Sequence, residues 1–128
     1  MQQDLRTTIS RLSDHTLAPG MIDYLQSTQF TRFCREHDIE DVWTEALEYS
    51  RDIPDLYGDV VVKHAFLMLV RHLYRSRIED FPAILADLLA DFFPEYPGPG
   101  YISGILDDLA GLGYTRKYME ALFSKTWK

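Results

Sequence analysis

A chain of 128 residues with 46% hydrophobic content matches one domain built on a single packed core. Charged residues make up 26%, and seven glycines with six prolines are too few for a collagen-like or low-complexity chain, so an ordinary globular composition remains. Thirteen Lys and Arg against twenty Asp and Glu leave a net charge of −7, which repels nucleic acid and anionic membrane at long range and favours a basic protein partner.

Hydrophobic spacing follows the helical period along the chain, and period-two alternation is nowhere sustained. Residues 2–16 place Leu5, Ile9 and Leu12 on one narrow stripe, stopped by Ala18-Pro19-Gly20. That stripe is either a loosely docked terminal helix or a surface for self-association. A short helical turn over 21–26 leads to Ser27-Thr28, whose hydroxyls can cap the segment carrying Phe30, Phe33 and Cys34. Asp38 is expected to end that piece and cap the next. Over 39–53 the pattern is amphipathic: Ile39, Val42, Trp43, Ala46, Leu47, Ser50 and Ile53 share one side, with Asp41, Glu45, Glu48 and Asp52 in a stripe opposite.

Pro54 and Gly58 break the chain before 59–78, which is apolar nearly all round and predicts a central helix. Asp80-Phe81-Pro82 starts the next helix, whose broad apolar face leaves Asp87 and Asp91 as its main polar side. After the loop containing Pro94, Pro97, Gly98, Pro99 and Gly100, a last pair of helices follows, divided at Gly113, with Thr115 as the expected cap of the second. The fold class is all-α: a compact single domain over 1–128, of five to seven helices, with antiparallel pairs of the helical-repeat kind as one arrangement.

The opening Met1-Gln2-Gln3-Asp4 has neither a basic n-region nor an apolar h-region, and the single Cys34 excludes an internal disulfide. A cytoplasmic location is expected. The uncharged run 65–70 in the apolar middle falls far short of the roughly 20 residues of a membrane span.

Motifs for catalysis are weak. Gly100-Tyr101-Ile102-Ser103-Gly104 places its serine one position late for a nucleophile elbow, and Ser103 is better read as a helix cap. Gly98-Pro99-Gly100 lacks the lysine of a phosphate loop and reads as a stiff turn. Cys34 and His37 share a helical face near Asp38 and Asp41, yet two ligands do not make a metal site, and Cys34 reads as a small core residue. No cofactor or metal is expected. Asp107 and Asp108, being adjacent, point to different sides of a helix. Asp87 and Asp91 face together, and with His64 they define the alternative function: a small metal-dependent or carboxylate-based enzyme.

The strongest departure from a neutral background is the window 36–59, where nine carboxylates meet a single arginine, Arg51. Asp41 with Glu45 and Glu48 with Asp52 are like-charge i, i+4 pairs, each costing about 0.2–0.5 kcal/mol. Either Arg71, Arg75 and Arg77 neutralise them from a neighbouring helix, or a basic partner does. The leading expectation is a non-enzymatic helical interaction module, an adaptor or regulatory subunit. Its partner-binding residues are Asp41, Glu45, Glu48 and Asp52, with Trp43 and Tyr49 at the margin. A second copy of the chain is a further partner to consider.

Overall fold

Apolar residues recurring every three or four positions form helices in every segment where the period predicts them. The computed structural model describes residues 4–127; among these are eight α-helices and no strand. They are α1 (Leu5–Thr16), α2 (Met21–Leu25), α3 (Thr28–Glu36), α4 (Glu40–Arg51), α5 (Asp59–Ser76), α6 (Phe81–Phe92), α7 (Pro99–Gly111) and α8 (Arg116–Thr126). The count exceeds the expected five to seven by one, with the short turn over 21–26 standing as a helix of its own, the five-residue α2, before the nine-residue α3. Gln2 and Gln3, expected in the first helix, lie outside the described residues. No described helix is long and apolar enough to cross a membrane. By packing, α2 to α5 form one unit, and α1 with α6, α7 and α8 form another.

In the unit of α2 to α5, Ser27 caps α3 as predicted: its Oγ accepts from the Phe30 N–H at 3.2 Å and donates to the Tyr24 carbonyl at 2.6 Å. The far end of α3 closes in a Schellman turn. The Ile39 N–H reaches the Cys34 carbonyl at 2.8 Å and the Asp38 N–H reaches Arg35, with Asp38 at φ 57°. Asp38 therefore ends α3, but it does not cap α4, because Ile39 occupies that position and no side chain accepts there. The turn is held from the end of α5, where the Arg77 guanidinium donates to the carbonyls of His37 at 2.6 Å and Asp38 at 3.1 Å.

The core of this unit centres on Phe30, which is fully buried. Its ring centroid lies 5.3 Å from Tyr24, 5.8 Å from Phe33 and 5.2 Å from a perpendicular Trp43. The most extensive helix pairing is α4 on α5, a helical hairpin joined through the Pro54–Gly58 break. Trp43, Ala46 and Ser50 are the buried residues of α4, and Val62, Ala65, Phe66, Leu69, Val70 and Leu73 those of α5.

In the other unit, α7 packs against both α1 and α8, and α6 packs against α8. Gly98, at φ 113°, and Pro99 start α7, a backbone that glycine adopts without strain. Ser103 consequently sits inside the helix, not at its cap. Gly113, at φ 104°, ends α7 in a second Schellman turn, with the Tyr114 N–H on the Leu109 carbonyl at 3.1 Å. Thr115 occupies the N-cap position of α8 as expected, but its hydroxyl makes no capping bond. Ile9 and Leu12 are buried while Leu5 is half exposed. The stripe on α1 is thus interior packing, which removes it as a self-association surface.

Arg77→Met keeps the aliphatic stem and removes both hydrogen bonds to the α3–α4 turn. A loss of about 1–2 kcal/mol is expected in urea denaturation; unchanged stability would show that the clamp contributes nothing.

Candidate functional site

Burial of Trp43, Ala46 and Ser50 against the rest of its unit fixes how α4 is turned about its axis. At about 100° per residue, Asp41, Glu45, Glu48 and Asp52 then fall within an arc of about 60° on the opposite side. All four are exposed. Among the described residues none of the four makes an ion pair.

The arginines expected to neutralise this row do otherwise. Arg77 is committed to the carbonyls of His37 and Asp38. Arg71 and Arg75 line a shallow cleft on α5 with Met68, His72 and Ser76, and no ion pair among the described residues involves either. Arg35 pairs with Glu40 at 3.0 Å, and that hydrogen bond raises the affinity of the guanidinium for its proton still further. Neutralisation inside the fold is absent among the described ion pairs.

The two aromatics assigned to the margin of the row separate. Tyr49 is 58% exposed, its ring stacked 6.3 Å from that of His64. Trp43 is buried against Phe30, so its place at an exposed margin is corrected: it stands about 180° from Asp52 on the helix and belongs to the core. Its remaining edge lines a cleft of about 550 Å³ bounded by α2, α3, α4 and the start of α5. Thr44, Leu47 and Arg51 form the α4 side of that cleft, with Leu25, Val61 and Val62 across from them.

The other predicted residues are spread through the fold. Cys34 is fully buried, and burial, reinforced by the charge of Glu40, pushes its thiol up to about 12. A thiol held protonated is a poor metal ligand. The ring of His37, half-buried, packs on Phe33 at 4.4 Å. Asp87 and Asp91 lie on α6, whereas His64 lies on α5 in the other unit, where its Nδ1 is 2.8 Å from the Oγ of the buried Ser50. Among the described residues no three His, Cys, Asp or Glu side chains are grouped so as to hold a metal ion.

One polar constellation escaped the sequence reading. Asp108 on α7 is 3% exposed, and its Oδ2 lies 2.6 Å from Nδ1 of the half-exposed His15 on α1; Nη1 of Arg11 is 3.9 Å from Oδ1. Its neighbour Asp107 points to the surface and pairs with Arg116, as adjacent helical positions require. A short distance away the Tyr101 hydroxyl donates to the Thr16 carbonyl at 2.6 Å, and burial pushes that hydroxyl well above the usual phenol range. The signal was present in the spacing: Asp108 stands three residues after Ile105 and four before Leu112, on the buried face of α7. The pair joins α1 to α7.

No family model, no curated protein and no solved structure matches the chain.

Two outcomes test these assignments. His15→Ala strips Asp108 of its close hydrogen-bond partner and is expected to cost about 1–3 kcal/mol in urea denaturation, the usual range for an unsatisfied buried group. A neutral effect would mean that Arg11 or water satisfies the carboxylate. With its thiol protonated up to about pH 12, Cys34 should react with a thiol-directed disulfide reagent at pH 8 only as fast as its unit opens. Immediate stoichiometric reaction in the native protein contradicts the assignment.

Proposed function

We propose that the chain is a non-enzymatic helical interaction module, an adaptor or regulatory subunit, whose α4 face binds a protein partner with a basic surface. The observation carrying this reading is the row of Asp41, Glu45, Glu48 and Asp52, exposed together and without an ion pair among the described residues. Repulsion between Asp41 and Glu45, and between Glu48 and Asp52, works against the helix, so the row is poorly explained as a device for local stability. Tyr49 beside it, and Tyr57 at 76% exposure just after α4, supply aromatic surface of the kind enriched at interfaces.

A basic partner is drawn in by the net charge of −7 and by its concentration between residues 36 and 59, which raises the association rate more than the final affinity. The same charge disfavours nucleic acid. The sole cysteine, kept as a buried thiol, supports placing the protein in a reducing compartment such as the cytoplasm.

The double substitution Glu45→Lys with Glu48→Lys separates partner binding from internal neutralisation. Because no arginine of the fold pairs with these carboxylates among the described residues, stability in urea is expected to be unchanged or raised by up to about 1 kcal/mol as repulsion is relieved. Association with a lysine-rich helical peptide should slow severalfold at low salt, and the difference should shrink as salt is added. A large loss of stability, or unaltered association, would overturn the reading.

A further inference from the structure

The acidic row is not alone on its side of α4. Glu40, Thr44, Leu47 and Arg51 line the 550 Å³ cleft, and each stands one position before a member of the row Asp41, Glu45, Glu48 and Asp52. The two rows share the spacing 4, 3, 4 and run side by side for the length of the helix, about 16 Å at 1.5 Å per residue. Across the cleft, Leu25 from α2 and Val61 and Val62 from α5 supply apolar surface, interrupted by the polar Gln26 and Thr31, and the buried Cys34 and Trp43 also line it. Such spacing is what a second helix presents when it lies along the first, with apolar residues at every third or fourth position and charges one position over.

From this juxtaposition we infer that the partner segment is a basic amphipathic helix, seated with its apolar row in the cleft between α4 and the α2–α3–α5 wall and its Lys or Arg row over Asp41, Glu45, Glu48 and Asp52. The inference rests on the proposed binding role of the acidic row and specifies what that row binds. Charge complementarity selects this occupant. An anionic ligand drawn to Arg51 meets Glu48, Asp52 and Asp55 close by in sequence, whereas a lysine row meets four carboxylates that make no ion pair among the described residues. Glu40, at the first position of the cleft-lining row, is paired with Arg35, which leaves Thr44 and Leu47 as the contact for the apolar row. The mode is a helix in a groove: apolar anchors set the dissociation rate and the charged row sets the approach.

The test uses the full chain and three synthetic helical peptides of about 15 residues, long enough to cover α4. The first carries leucines in one 4, 3, 4 row and lysines in the adjacent row; the second replaces its leucines by serine; the third replaces its lysines by glutamine. Affinities are measured by calorimetry at low and high salt against the parent protein, Glu45→Lys with Glu48→Lys, and Thr44→Phe, which fills the cleft from an exposed position. Thr44→Phe is used only after its circular dichroism and melting temperature match the parent; Leu47→Ser, which removes an apolar wall, replaces it if they do not. Emission from Trp43, read in a Trp127→Phe background, reports whether a peptide enters the cleft.

The leucine–lysine peptide is expected to bind the parent and shift Trp43 emission, and both the serine peptide and Thr44→Phe should weaken binding about tenfold at either salt, a change of about 1.4 kcal/mol. The acidic-row variant should weaken binding chiefly at low salt. If the serine peptide binds the parent as well as the first peptide does, or Trp43 emission stays fixed, the cleft is not used and the inference fails while the acidic-row reading stands. If Thr44→Phe weakens binding but the acidic-row variant and the glutamine peptide do not, the acidic-row reading itself fails. Absence of binding by the leucine–lysine peptide at about 1 mM overturns the inference.

Discussion

The packing of α4 against α5 is the constraint from which the surface of its unit follows. Ser50 is a hydroxyl with no access to water, and it remains there because Nδ1 of His64 lies 2.8 Å away. A buried hydroxyl without a partner costs about 1–3 kcal/mol, so this bond fixes the register of the two helices as well as holding them together. Trp43, at the other end of the buried stripe, reaches the Phe30 ring edge-on and ties the same helix to α3. With both ends of α4 fixed in rotation, its four outward carboxylates have no freedom to turn toward the arginines of α5.

Arg77 shows how tertiary structure redirects charge. In a sequence it is a cation near an acidic window, and pairing with that window is the natural expectation. In the fold its planar group donates instead to the His37 and Asp38 carbonyls, where a helix has ended and backbone acceptors are left over. A guanidinium with several donors in a fixed geometry satisfies two such acceptors at once. Helix ends therefore compete with side-chain carboxylates for the available cations, and here the acidic row is left for a binding partner under the proposed reading.

The two units keep their polar groups in different ways. In one, a neutral hydroxyl meets an imidazole; in the other, a buried carboxylate meets an imidazole, with an arginine 3.9 Å away. The second arrangement carries α1, whose twelve residues bury mainly Ile9, Leu12 and three small hydroxyl residues, Thr8, Ser13 and Thr16. A helix with so few large apolar anchors depends more than its neighbours on directional bonds, and the His15–Asp108 and Tyr101–Thr16 contacts supply them.

Periodicity alone determined the all-helical class, the breaks at Gly20, Gly58 and Gly113, and the placement of Asp41, Glu45, Glu48 and Asp52 on one face, because each is a property of neighbours within one turn of chain. The Ser27 cap was legible for the same reason. Thr115 stands at the start of its helix as expected but without a side-chain bond, and Ser103 was misread, since a hydroxyl near a helix start does not say where the backbone enters the helix. Only the tertiary structure decided that Trp43 belongs to the core, that Arg77 serves a turn, and that Asp108 is sealed against His15 across 93 residues of sequence. Local pattern records which face of a helix is apolar, but the element that covers that face, and the polar group that meets a buried charge, come from distant parts of the chain. Those pairings arise when helices pack, and no spacing within a single helix encodes them.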